Sequence, residues 1–166
     1  MKVQDIMTGD VETCSPESDL AAAAVIMWKR DCGSVPVVDE SRRVVGMITD
    51  RDICMAVATR NKLASMIKVS EVISGRVYAC APDDSIRDAL ETMQSAQLRR
   101  LPVVDDEGTL HGILSINDVV LHSAKGRSKK HISHRDVIAT LKVLSEHRHE
   151  ETDDDDNGRT LSAAPI

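Results

Sequence analysis

The sequence predicts an α+β fold: two copies of one strand–helix–strand–strand–helix unit packed face to face, then an added helix and an acidic tail. The first observation behind this is a gapless internal repeat. Val3 matches Val69, and the same offset carries Gly9, Val11, Cys14, Pro16, Met27, Gly46 and Asp52 onto Gly75, Val77, Cys80, Pro82, Met93, Gly112 and Asp118. The run "PVVD" recurs whole, at 36–39 and 102–105. The second observation is a hydrophobic content of 42% with only 1% aromatics, Trp28 and Tyr78, so the core must be built from Val, Ile, Leu, Met and Ala. The third is that the repeat ends after residue 124, where the composition turns polar.

Each copy reads with one template. Val11–Thr13 and Val77–Ala79 are expected as short strands, each ending at a proline turn. A helix then opens after "PESD" or "PDDS", with acidic residues at the positive end of its dipole. Leu20, Ala23, Ala24 and Met27, and likewise Ile86, Ala89, Leu90 and Met93, follow i, i+3, i+4, i+7 spacing, which is one buried helix face. Gly33 is the expected stop of the first of these helices. Two strands follow, "SVPVV" and "VVGMIT" in copy one, "RLPVV" and "LHGILS" in copy two. Gly108 marks the second hairpin turn, where a positive φ is needed. The last helix of each copy starts at Thr49 or Ser115.

A three-stranded sheet cannot cover both its faces alone, so the copies are expected to close on each other. The organisation is then 1–66 for copy one, 67–124 for copy two, 125–149 for a basic connector and added helix, and 150–166 for the tail. In the added helix, over 133–147, Ser133 and Asp136 form a capping box, and Val137, Ile138, Leu141 and Leu144 make an apolar stripe that needs a cover. From Glu150 the composition predicts disorder.

Charge and composition exclude several functions. The net charge of −6 is concentrated in the tail, with six acids from Glu150 to Asp156, and the body is almost neutral. Such a body lacks the basic face of a nucleic-acid binder, and the scarcity of aromatics removes the stacking platforms of a single-strand binder. The longest apolar run, "LAAAAVIMW", is too short to span a bilayer, and charges break the N-terminus early. A cytoplasmic protein is expected. The four cysteines form no C-x-x-C pair and read as small apolar residues, while His147 and His149 lack a complete coordination set, so no metal is expected. His111 reads as an edge or packed histidine, and no nucleophile has a partnered base, so no enzyme is expected.

"GMITDRD" at 46–52 and "GILSIND" at 112–118 carry the remaining chemistry. Alone, Thr49-x-x-Asp52 and Ser115-x-x-Asp118 are capping boxes, with hydroxyl and carboxylate satisfying free N–H groups at a helix start. Repeated, with "VPVVD" or "LPVVD" ahead of each, they resemble a pair of CBS domains, the cystathionine beta-synthase type also called a Bateman module. The resemblance covers roughly residues 1–124. It implies tandem β-α-β-β-α domains packed through their sheets with pseudo-twofold symmetry, and a regulatory homodimer without catalytic residues. It also implies clefts between the domains that bind adenosine-containing ligands: AMP foremost, then ADP, ATP, NAD or S-adenosylmethionine.

That implication gives the motif residues roles beyond the cap. A helix N-terminus favours phosphate, to which the Thr49 or Ser115 hydroxyl would donate, and the two oxygens of Asp52 or Asp118 suit the vicinal diol of a ribose. Arg51 in copy one, and Arg99 and Arg100 with Asn117 in copy two, are the expected phosphate donors. Gly46 and Gly112 would let a ring approach the strand. Val35, Pro36, Leu101 and Pro102, with Ile6, Val11, Met47, Val72, Val77 and Ile113, are the expected apolar walls. The alternative is a ligand-free dimeric scaffold acting on a protein target, with the 133–147 helix carrying recognition.

Overall fold

A computed structural model describes residues 1–126 and 131–146. The tail at 150–166, His147 and His149 lie outside the described residues. Five α-helices and four β-strands are present among them, besides three short 3-10 turns: α1 (Leu20–Lys29), β1 (Ser34–Val38), β2 (Val44–Thr49), α2 (Asp50–Arg60), α3 (Ile86–Ala96), β3 (Arg100–Val104), β4 (Leu110–Ser115), α4 (Ile116–Leu121) and α5 (His134–Ser145). Asp19 caps α1 by accepting the Ala22 N–H, and Ser85 caps α3 by accepting that of Asp88.

The sheets are two antiparallel hairpins of identical register. Ser34 faces Thr49 and Pro36 faces Met47 in one; Arg100 faces Ser115 and Pro102 faces Ile113 in the other. The third strand expected in each copy shrinks to one parallel bridge, Cys14 with Val37 and Cys80 with Val103. Cys14 donates its N–H to the Pro36 carbonyl at 3.1 Å and accepts from the Val38 N–H at 2.9 Å. Pairing ends there because Pro16 and Pro82 open tight turns at once: the Ser18 N–H bonds the Ser15 carbonyl, and Asp84 that of Ala81.

Gly33 is not the helix stop. Asp31 (φ 48°) and its counterpart Gln97 (φ 49°) take the left-handed position, and the N–H groups of Cys32 and Leu98 return to the carbonyls of Met27 and Met93. Both helices thus end in a Schellman motif without glycine. At the hairpin turns Gly108 has the expected positive φ of 83°, and Arg42, its counterpart, holds 62°.

Two hydrophobic cores result, and each contains a segment from the other copy. Val3 and Ile6 are buried with Ile86, Met93, Leu101 and Leu114 of copy two. Ile67 and Val69 are buried with Leu20, Met27, Val35 and Ile48 of copy one. Backbone bonds fix the exchange in symmetric pairs. The Val3 N–H bonds the Asp84 carbonyl while that of Val69 bonds Ser18; Gln4 bonds Pro82 while Ser70 bonds Pro16. The turns meet in the same way, Val44 N–H to the Gly108 carbonyl and Leu110 N–H to that of Arg42. This is the pseudo-twofold axis in hydrogen bonds. One pair breaks it: Thr8 and Ile113 exchange two backbone bonds of 2.9 Å, whereas on the copy-one side only the Ile73 side chain reaches Gly46.

Helix α5 packs on α3 and α4 of copy two. Its buried face is Val137, Thr140 and Leu144. The expected stripe is rotated, with Ile138 at 55% exposure and Leu141 at 36% turned outward. Thr140 goes inside because its hydroxyl accepts from the Gln94 Nε2 at 2.7 Å and so satisfies both groups.

A Cβ on Gly112 would lie 2.5 Å from the Thr8 carbonyl oxygen, while one on Gly75 would meet nothing within 4 Å. Gly112→Ala is therefore expected to cost roughly 1–3 kcal/mol in urea unfolding, and Gly75→Ala less than about 0.5 kcal/mol.

Candidate functional site

The repeated motif builds two matching helix ends. Thr49 is the N-cap of α2: its Oγ1 accepts the Asp52 N–H at 3.1 Å, and Asp52 Oδ2 accepts the Thr49 N–H at 3.0 Å and its hydroxyl at 2.6 Å. Ser115 and Asp118 repeat the arrangement at α4, with distances of 3.2, 2.8 and 2.6 Å. Each hydroxyl hydrogen is therefore engaged with its own aspartate. Only Oδ2 of each carboxylate takes part; Oδ1 of Asp52 and of Asp118 accepts nothing among the described residues.

The two ends differ in charge. Helix α2 runs for 11 residues and α4 for 6, so aligned peptide dipoles contribute less at the second end. Copy two supplies side-chain charge there instead. The β3–β4 register sets Arg100 opposite Ser115, and the Arg99 carbonyl accepts the Ile116 N–H at 2.9 Å. Copy one has Gly33 and Ser34 at these places. The Gly33 carbonyl accepts the Asp50 N–H at 3.2 Å, and Ser34 is buried with its Oγ unpartnered among the described residues. Arg51 and Asn117 are exposed in the first turns of α2 and α4. Arg30, Arg43, Arg60 and Arg87 pair with carboxylates, but Arg51, Arg99 and Arg100 make no ion pair among the described residues.

The apolar candidates separate by face and by copy. Val35 and Leu101, at 1% and 0% exposure, lie inside the two cores, and Pro36 and Pro102 are also buried. Ile6 goes to the copy-two core and Val72 packs against the copy-one core, because the lead-in segments are exchanged, while Met47 and Ile113 are half-buried on their strands. Val11 and Val77 are half-buried. What approaches Gly112 is the Met7–Thr8 segment, and what approaches Gly46 is Ile73. Met7, Thr8 and Ile73 were not singled out by sequence reasoning. The offset of the repeat pairs Met7 with Ile73, but it carries no signal for the copy on which each packs.

His111 is an exposed edge residue whose Nε2 lies 3.0 Å from Asp105 Oδ2. That hydrogen bond holds the Asp105 carboxyl below its ordinary range. Cys14 and Cys80 are 6% exposed, and burial pushes their thiols up to about 11 and about 12. No group of three or more His, Cys, Asp or Glu suited to a metal occurs among the described residues, and no helix there is long and apolar enough to cross a membrane.

Residues 3–59 and 69–125 each match the CBS domain model. The chain belongs to the CBS domain family. Among curated relatives, the CBS domain-containing protein YhcV of Bacillus subtilis (strain 168) is 34% identical over 139 residues, spanning 81% of this chain and 97% of YhcV. Among solved structures, the CBS domain pair of protein MJ0100, in complex with 5′-methylthioadenosine and S-adenosyl-L-methionine, aligns with a TM-score of 0.67 at 27% identity. That match covers 73% of this chain and 94% of the other. CBSX2, in complex with AMP, aligns with a TM-score of 0.63 at 26% identity, over 72% and 93% of the two chains. The chain also matches enzymes of which it spans about a quarter, so the CBS pair is one part of those longer proteins.

In this CBS pair Cys14 and Cys80 are structural. A thiol held at about 11 is roughly one part in ten thousand thiolate at pH 7, and the thiolate is the nucleophile. Native protein treated with iodoacetamide at pH 7 is expected to stay unmodified at both, with labelling appearing in denaturant; peptide mass mapping reads the outcome.

Proposed function

We propose that this CBS pair is a cytoplasmic regulatory module that binds an adenosine-containing ligand at the two helix ends, with AMP preferred over ADP, ATP, NAD and S-adenosylmethionine. The observation that carries the reading is the pair of half-used carboxylates. Asp52 and Asp118 each keep Oδ1 without a partner among the described residues while Oδ2 is anchored by the cap, so each is oriented by the fold and available to a vicinal diol. Arg51 in copy one and Arg99 and Arg100 in copy two, without ion pairs among the described residues, supply charge for a phosphate, with the exposed Asn117 amide beside them. The Thr49 and Ser115 hydroxyls are engaged, and so are the N–H groups of Thr49, Asp50, Arg51 and Asp52 at α2 and of Ser115, Ile116 and Asp118 at α4, so the arginines carry that contact. Val35, Pro36, Leu101 and Pro102 act from behind, by holding the strands on which Met47 and Ile113 stand. The ligands held by the MJ0100 pair and by CBSX2 support an adenosine class.

The module works as a homodimer on a protein target; neither nucleic acid nor membrane is a partner. Ligand shifts the arrangement of the two copies by its differential affinity for two states. A ligand-free scaffold is the second reading, favoured by the exposed apolar side chains Val25, Trp28 and Met55 on α1 and α2.

Calorimetric titration of refolded, ligand-stripped protein tests the proposal. AMP is expected to bind saturably. Asp52→Ala and Asp118→Ala together are expected to weaken it tenfold or more, since hydrogen bonds to a charged group are worth about 1.5–3 kcal/mol. Arg51→Ala should weaken AMP more than adenosine. Unchanged AMP affinity in a folded double variant overturns the ribose assignment; binding of none of the five ligands overturns the proposal in favour of the scaffold.

A further inference from the structure

Helix α5 lies outside the repeat, so its outer face is surface that copy one does not have. Asp136 and Thr140 turn toward α3, where Arg87 and Gln94 hold them at 3.1 and 2.7 Å. With about 3.6 residues per turn, Arg135, Ile138 and Lys142 then form one outward stripe, with Leu141 on the flank away from α3. Helix α4 packs on α5 and leaves Val120 and Leu121 exposed to 42% and 79%. The bridge between Ala124 and Ser133 brings Lys125 to the start of α5. Asp136, the one acid of α5, is taken by Arg87, and Lys125, Arg135 and Lys142 make no ion pair among the described residues. The face is a strip of apolar side chains edged by cations.

We propose that the acidic segment 150–156 of the same chain docks in cis on this face. Charge and reach select it. From 125 to 142 the sequence holds six cations, Lys125, Arg127, Lys129, Lys130, Arg135 and Lys142, against the single acid Asp136. The tail holds six acids, Glu150, Glu151 and Asp153 to Asp156. An extended residue spans about 3.4 Å, so 150–156 reaches about 24 Å. Helix α5 has 12 residues, which at about 1.5 Å each makes it about 18 Å long. A chain that turns back after Glu146 therefore passes Lys142 first, then Arg135 and Lys125. Leu161, the first large apolar residue after the acids, follows toward Leu121 at the same end of α5. A single surface ion pair is weak, but a short tether holds the acids at an effective concentration on the order of millimolar. The chain thus carries its own competitor for any acidic partner of α5, and this contact is independent of nucleotide binding.

Carbodiimide coupling, which joins carboxylates to lysines they touch, tests this on the full chain. Peptide mapping is expected to find 150–156 joined to Lys142 and Lys125. Those links are expected to be lost in about 0.5 M salt, where the Debye length is roughly 4 Å. An equal mixture of nitrogen-14 and nitrogen-15 chains separates the sources: links within one isotope support the proposal, while mixed links assign the occupant to a second copy and overturn it. No links, or links spread equally over Lys29, Lys62 and Lys68, overturn it as well. A second measurement needs no lysine. Glu150→Gln and Glu151→Gln, combined with Asp153→Asn, Asp154→Asn, Asp155→Asn and Asp156→Asn, are expected to shift the backbone amide signals of Leu121, Arg135 and Ile138 while those of α1 stay in place. Unmoved signals at these three residues contradict docking on α5.

Discussion

The structure depends on one exchange: the segment ahead of each copy is hydrogen-bonded into the other. Val3 and Gln4 bond the Asp84 and Pro82 carbonyls, and Val69 and Ser70 bond those of Ser18 and Pro16. Neither core is complete without it, since Val3 and Ile6 lie in one and Ile67 and Val69 in the other. A hairpin with one extra bridge and two helices cannot enclose a core of its own from so few residues. The exchange solves this and places the two copies about an axis. It also fixes the glycines: the Thr8 backbone bonds Ile113 so closely that Gly112 has no room for a side chain.

The same axis sets out the two motif-bearing helix ends. Both are built by a reciprocal cap, which is a stabilising device on its own account. The cap holds each aspartate through Oδ2 and leaves Oδ1 without a hydrogen-bond partner among the described residues. The copies then diverge. Copy one has the longer helix and Arg51; copy two has a six-residue helix and brings Arg99 and Arg100 from the strand before it. The two helix ends thus present positive charge in unequal ways on one scaffold.

Much of this is legible in the sequence because duplication doubles every weak signal. Thr49-x-x-Asp52 alone is a cap, but with Ser115-x-x-Asp118 at the same offset it becomes a motif, and the hairpins and both helix faces follow in register. What sequence reasoning missed is long-range or local in a way composition does not encode. Nothing in Ile6 or Val72 tells which core it joins. Gly33 reads as a helix stop, yet Asp31 and Gln97 accept the left-handed turn, because the Schellman bonds to Met27 and Met93 offset its strain. Periodicity put Ile138 and Leu141 inside α5; the Gln94 amide draws Thr140 inside instead, and a cross-helix partner leaves no trace in hydrophobic spacing. For Val35 and Leu101, the motif that marks them as lining a cleft is also the motif of a buried strand.

The central claim is that the half-used carboxylates and the arginines beside them meet the ligand. Amide chemical-shift mapping of nitrogen-15-labelled protein titrated with AMP tests it most directly. The account predicts saturable shifts concentrated at Thr49–Asp52 and Ser115–Asp118, with the neighbouring Arg99 and Arg100. Saturable shifts confined to other surfaces, with these amides unmoved, would contradict it.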